Sequence, residues 1–362
     1  MIIYIDRTIG EHCKKYGLTQ EEELFFDQLA TAHQHGECLL CGDIYALDLL
    51  RQRLSGPHAR LYQKVYSRYS EIKSIIGYVE FVLVITKAQN PVIPKFIEGK
   101  QRIIPLDEAL KLNISSKCYL VGENLNDCLF YTIIAKRYLH KLPIRNIQIN
   151  FCNENGGGDT TNLVFKKCVM DDNRPTLCLA DSDKKHGTSQ EYPNEPARGN
   201  TILKIEKVYE DLSDSILSSI CEVYCLSVHE VENLIPICVL EHLCNSGTPE
   251  MAECIAFLKL LLSSNLAEAI LFYDFKEGDK KIKDPPAMAY WIEILDQVPR
   301  TSVPSLCCTK LLEKSINALN GRVERINDFA INMTLDSYLL PYWESIGSKV
   351  FSWGCCNLPS ST

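Results

Sequence analysis

A chain of 362 residues with 46% hydrophobic and 23% charged residues has the makeup of an ordinary soluble globular protein, long enough for two or three domains. Its net charge of −8 argues against non-specific coating of nucleic acid, although a local basic groove remains compatible with it. No apolar run approaches the roughly 18 residues of a spanning helix, and Met1 to Asp6 lacks the basic head of a signal peptide, so a cytoplasmic protein without membrane contact is expected.

Residues 1–112 mix strand-like runs at 2–5, 37–41 and 79–86 with helical runs at 21–32 and 45–54, which predicts an N-terminal α/β domain of unknown role. His33, His35, Cys38 and Cys41 have zinc-ligand types at tolerable spacing. An offset of three along a strand, however, points Cys38 and Cys41 to opposite faces, which favours plain burial. The seventeen cysteines lie scattered, many in apolar runs, and read as reduced thiols. Asp6 and Asp43 each end a strand-like run; a second carboxylate site is weighed there against ordinary turn and cap roles, which are favoured.

Residues 113–245 are more regular. A strand at 117–122 leads through Glu123 and Asp127 into a helix on which Leu129, Phe130, Ile133, Ile134 and Tyr138 recur at helical spacing. A strand at 144–151 follows, then Gly156-Gly157-Gly158, a helix at 161–170, and an apolar strand from Thr176 that ends in Asp181-Ser182-Asp183. Beyond a polar loop at 184–200 the pattern predicts a strand at 202–208, a helix at 211–220 and a strand at 222–226 that runs into His229-Glu230-Val231-Glu232-Asn233-Leu234. Strands alternating with helices over short connections predict a parallel, doubly wound sheet, because parallel neighbours need a crossover. Residues 246–362 read as mainly helical, notably 251–262 and 311–330, with a basic insert carrying Lys276, Lys280, Lys281 and Lys283 between them.

Three carboxylate clusters thus fall at strand ends: Glu123 with Asp127, Asp181 with Asp183, and Glu230 with Glu232. Ligands of open α/β sheets bind outside the carboxyl ends of the strands, and acids crowded there are costly unless a cation neutralises them. Hard cations such as Mg²⁺ and Mn²⁺ prefer carboxylate oxygens, and held there they activate water and stabilise the leaving oxygen of a phosphodiester. Asp181 and Asp183, two apart on an extended backbone, are expected to point the same way. Singly, Asp127, Glu230 and Glu232 read as helix caps; the glycine run, lacking a following Lys-Ser/Thr, reads as a turn and not a Walker loop. Their order on one alternating pattern favours a joint metal site.

The succession Leu120-Val-Gly-Glu123-Asn-Leu-Asn-Asp127, the glycine cluster, Leu179-Ala-Asp181-Ser-Asp183 and His229-Glu230-Val-Glu232-Asn-Leu resembles the Toprim domain. It is most similar to the version in OLD-family nucleases of anti-phage defence, over residues 113–245. The resemblance implies a Toprim-like catalytic domain in a divalent-metal-dependent nuclease that hydrolyses DNA or RNA. It makes Glu123 a metal ligand and acid/base carboxylate, and Asp127, Asp181 and Asp183 metal ligands, with Glu230 or Glu232 completing a second metal. The first motif departs from the family, which often reads Val-Glu-Gly where this chain reads Val121-Gly122-Glu123. Such nucleases are usually fused to an ATPase, and no Walker motif occurs here, so any ATPase would be a separate partner protein. Their catalysis also uses a lysine, for which Lys276 is the candidate, set against a reading of the insert as a basic turn. The alternative function is a catalytically silent Toprim-like module that binds nucleic acid or a regulatory partner.

Overall fold

The computed structural model describes residues 1–88, 91, 93–188, 193–276, 278, 284–305, 308, 310–320 and 335–359. Lys280, Lys281, Lys283 and the second half of the helix predicted over 311–330 lie outside the described residues.

Two four-stranded parallel sheets organise the chain. The first takes β1 (Ile2–Ile5), β2 (Leu39–Gly42), β3 (Val82–Thr86) and β4 (Gln101–Pro105) in the order β2-β1-β3-β4. Their connections run through α1 (Arg7–Tyr16), α2 (Gln20–His35), α3 (Ile44–Arg53), α4 (Gly56–Ser67) and α5 (Tyr69–Ile75), and α6 (Leu106–Ala109) follows β4. Continuous apolar runs make buried strands because helices cover both faces of such a sheet. Every residue of β1, β2 and β3 is buried. The candidate zinc ligands follow the same logic: buried His33 accepts a hydrogen bond on Nδ1 from the Leu40 N–H at 3.2 Å, and Cys38 and Cys41 are buried.

The second sheet takes β5 (Tyr119–Gly122), β7 (Cys152–Asn155), β8 (Thr176–Ala180) and β9 (Cys221–Cys225) in the order β7-β5-β8-β9, all parallel. The doubly wound pattern expected for this segment is present, with α7 (Leu125–His140), α8 (Thr161–Lys166) and α9 (Asn200–Asp211) as crossovers. Three local expectations are corrected. The strand predicted at 202–208 is part of α9: Ile202 and Ile205 are buried and Val208 packs beside them, a helical spacing, whereas Leu203 is exposed. Parallel β8 and β9 require a crossover, and that demand outweighs the strand preference of the β-branched residues. The helix predicted at 211–220 is a turn followed by a short 3₁₀ segment, Ile216–Ile220. The strand predicted at 144–151 is cut short where the Asn150 N–H donates to the Gly354 carbonyl at 3.0 Å, and the parallel strand β7 begins only beyond it, at Cys152. What remains of the predicted strand, β6 (Ile147–Ile149), pairs antiparallel with β10 (Cys355–Asn357).

The remaining chain is mainly helical, as expected: α10 (Ile237–Asn245), α11 (Ala252–Ser263), α12 (Pro285–Leu295), α13 (Leu311–Asn320) and α14 (Leu340–Gly354). Helix α14 lies along α7, where Trp343 meets Phe130 edge to face and its Nε1–H donates to the Leu234 carbonyl at 2.9 Å. Arg102 on β4 lies over the rings of Phe81 and Trp353, which pack against each other, and pairs with Glu222 on β9, which also takes Lys349 of α14. One large core therefore runs through both sheets and α14, and a smaller one fills the other face of the second sheet between α8 and α9. Among the described residues no helix is long and apolar enough to cross a membrane.

Candidate functional site

The carboxyl ends of β5 and β8 lie side by side, since these strands are paired neighbours, and each delivers an acid as its first residue beyond the sheet. At β5 that acid is Glu123. Its carbonyl accepts from the N–H groups of Gly157 at 2.9 Å and Gly158 at 3.3 Å, while Gly156 N–H donates to Gly122 O at 2.8 Å. Gly157 and Gly158 adopt φ of 71° and 62°, a region open to glycine, so the glycine run folds around the strand tip and fixes it. The turn predicted from the sequence is thus a support for Glu123.

Asp127 sits in the first turn of α7 and is buried. Its carboxylate accepts from the Asn124 N–H at 2.8 Å and from Asn124 Nδ2 at 2.6 Å, completing a capping box. Asp181 accepts from the Val231 N–H at 3.0 Å, which joins the second acidic cluster to the third. Asp183 departs from the extended backbone expected for it: its φ is 54°, a left-handed turn directly after the strand end. The Asp183 N–H donates to His229 O at 3.0 Å, and its carboxylate lies against Gly199. A Cβ built on Gly199 would collide with the Asp183 side chain. Gly199 N–H also donates to Ser182 O at 2.8 Å, closing the neck of the polar loop directly at the acidic turn.

Glu230 caps the 3₁₀ turn Val231–Leu234 and Glu232 lies within it. Asn233 locks that turn in place: its Oδ1 accepts from the Glu230 N–H at 2.9 Å, and its Nδ2 donates to the carbonyls of Ile270 and Tyr273, both at 2.8 Å. The second of these carbonyls belongs to the segment that presents Lys276. Its Nζ stands 2.8 Å from Glu230 Oε2 and 3.6 Å from Glu232 Oε1.

All seven candidate residues therefore meet at one sheet edge, and their mutual fields are large. Burial, then Asp183, Asp127 and Glu230, push Glu123 up to about 7, against one opposing Asp181 N–H. Burial and Glu232 push Asp127 up to about 6, although its bonds from Asn124 resist. Asp181 is raised well above the usual carboxylate range by burial and by Glu123, Asp127, Glu232 and Glu230. Asp183 and Glu232 are raised too, chiefly by burial. Burial disfavours the Lys276 ammonium, but Glu232, Glu230 and Asp181 more than offset it and tighten its hold on the proton. These are the shifts that crowded acids show when neutralising charge is short.

The donor set fits a hard divalent cation: the convergent acidic side chains offer oxygen only, and Glu123 Oε1 is buried without a hydrogen-bond partner among the described residues. Among those residues, no three His, Cys, Asp or Glu side chains already close on one ion-sized point. The acids share a field while the ammonium of Lys276 holds two of them. Two clefts flank the site. One, of about 650 Å³, is bordered by Asp183, His229, Glu230 and Lys276 and adds Lys185 and Arg198 from the polar loop. The other, of about 780 Å³, is bordered by Asn124, Glu232, Lys276 and Lys310. Lys276 stands between them. Sequence reasoning missed Gly199 and the anchoring role of Asn233; the second was signalled by its place directly after Glu232, whereas nothing local marks Gly199. Asp6 and Asp43 stay apart from this site, each accepting a hydrogen bond from a helix N-terminal N–H, of Thr8 at 3.1 Å and Tyr45 at 2.9 Å. No protein-family model matches this chain, and no curated protein or solved structure matches it either.

Proposed function

We propose that this protein is a divalent-metal-dependent nuclease, a phosphodiester hydrolase of the Toprim type acting on DNA or RNA with Mg²⁺ or Mn²⁺. The observation that carries the reading is the meeting of Glu123, Asp127, Asp181, Asp183, Glu230 and Glu232 with Lys276 at one sheet edge, with a buried Glu123 oxygen left unpartnered. When bound, a divalent cation there would supply a nucleophilic water at neutral pH and neutralise charge on the phosphate. Glu123, Asp181 and Asp183 would hold it. Glu123, poised near neutrality, suits proton transfer from the attacking water. Lys276, facing both clefts, would stabilise the phosphate as its charge grows. Lys185 lines the first cleft, where it would serve as a phosphate contact within an acidic whole, and Arg198, paired with Glu206, lies at the same wall. A separate ATPase partner and a role in anti-phage defence are carried by the sequence resemblance alone.

A catalytically silent Toprim-like module is the second reading, favoured by the cap roles that Asp127 and Glu230 already fill. Incubating the purified chain with plasmid DNA and with tRNA, in Mg²⁺, Mn²⁺ or EDTA, separates the two. The nuclease reading expects cutting that needs metal and is lost in Glu123→Gln. Cutting in EDTA, or a fully active Glu123→Gln variant, rejects it.

A further inference from the structure

The acidic edge is lopsided in how it is neutralised. At the Glu230 and Glu232 end the chain supplies its own cation, whereas at the Glu123 end Oε1 has no partner among the described residues. The Lys276 side chain is 59% exposed, but the backbone that carries it is built into the fold. The Lys276 N–H donates to Asp274 Oδ1 at 2.9 Å, and the Gly278 N–H donates to Asp274 O at 2.9 Å, so the lysine rides on a closed turn. Gly278 has φ of 58°, and a Cβ there would stand 2.8 Å from Val303 O, which seats the turn against the next segment. Asn233 then ties the Tyr273 carbonyl, just ahead of this turn, to the 3₁₀ turn bearing Glu232. Backbone geometry on both sides thus fixes where the lysine leaves the chain, and the two carboxylates hold its ammonium. The carboxylates it reaches are well covered, with side chains 18% and 12% exposed, and a cation close by favours the charged form of a covered acid.

We infer that Lys276 occupies the place of a second metal ion, so that the site takes one divalent cation at the Glu123, Asp181 and Asp183 end and uses the lysine ammonium at the Glu230 and Glu232 end. The inference rests on the metal-dependent reading of this edge and gives it a definite cation count. A fixed ammonium gives positive charge beside a phosphate without waiting for a second ion to bind, at the cost of one unit of charge. Its loss should open that end to metal, because Glu230 and Glu232 would then face each other without a counter-charge.

Counting bound Mn²⁺ tests this directly, using the paramagnetic resonance signal of free Mn²⁺ titrated against the full chain without substrate. The wild type should bind about one Mn²⁺ per chain, and Lys276→Met about two, while Lys276→Arg should stay at about one. Thermal melts of each variant verify folding, and the wild-type count stands by itself should Lys276→Met fail to fold. Two ions on the wild type, or one on folded Lys276→Met, overturns the inference and leaves the nuclease reading intact. No Mn²⁺ binding by the wild type overturns both.

Discussion

The molecule contains two parallel four-stranded sheets, both with acids at the carboxyl ends of their strands, and they differ in how those acids are satisfied. At the first sheet Asp6 accepts from Thr8 N–H and Oγ1 and Asp43 from Tyr45 N–H, while buried Glu22, in the first turn of α2 and not at a strand end, pairs with Lys87 just beyond β3 at 3.0 Å. Burial works against the Glu22 carboxylate, but the Thr19 N–H and Lys87 outweigh it and hold its pKa below the ordinary value. Glu123 at the second sheet is also largely buried, and there burial and three neighbouring acids raise it to about 7. Position at a strand end does not make a site. What distinguishes the second edge is charge left uncompensated, which a protein tolerates where a ligand will complete it.

The largest effect expected from this contrast is on Asp181. If the proposed nuclease reading holds, Asp181→Asn should lower metal-dependent cleavage by about 10³-fold, read from initial rates on plasmid DNA or tRNA, because it removes one carboxylate of the proposed donor set while keeping the shape that accepts the Val231 N–H. Wild-type rates in this variant would place the chemistry elsewhere.

Next in size is Gly199→Ala. The Gly199 φ of −66° is open to alanine, so the backbone conformation is unstrained, and the nearest atoms the added Cβ meets are the carboxylate and Cβ of Asp183, which it pushes away. Mn²⁺ affinity should fall by about 10- to 100-fold, as when a ligand loses its support, with the fold retained by circular dichroism. Unchanged affinity would remove Asp183 from the donor set.

A smaller effect concerns stability and pH in EDTA. A carboxyl raised from 4.5 to about 7 in the folded chain binds its proton more tightly when folded, so its contribution is fully present below pH 4.5 and is lost as pH rises through 7. Glu123→Gln should therefore match wild type in acid and exceed it by roughly 1–2 kcal/mol at pH 8, a figure discounted for water entering the clefts. Denaturant midpoints across that range decide it, and a variant less stable than wild type at pH 8 would contradict the crowding. The smallest effect is the control in the other sheet. Asp43→Ala should cost about 1 kcal/mol through loss of a cap and leave cleavage unchanged, as melting and rate assays would show.

Much of the second edge was legible in the sequence because each ingredient is local. Tyr119–Gly122 and Thr176–Ala180 are apolar runs cut off by acids, which is how a buried parallel strand ends at a polar crevice. The helical stripe on α7 was equally plain. The failures share a cause in partners distant along the chain. Residues 202–208 look strand-like in isolation, and only the need to cross from β8 to a parallel β9 makes them helix. Asn150 breaks its strand through a carbonyl at Gly354, and Gly199 matters through a contact with Asp183 across the loop neck. The left-handed turn at Asp183 carries no local signature, since aspartate only tolerates that conformation.

The difference between the two sheets can be seen directly by soaking crystals in Mn²⁺ and locating it by anomalous scattering. The account predicts a peak at the second sheet's edge, with oxygens of Glu123 and Asp181 about 2.0–2.4 Å away, and none beside Asp6 or Asp43. An empty second edge at saturating Mn²⁺, or a peak at Asp6 in its place, would contradict it.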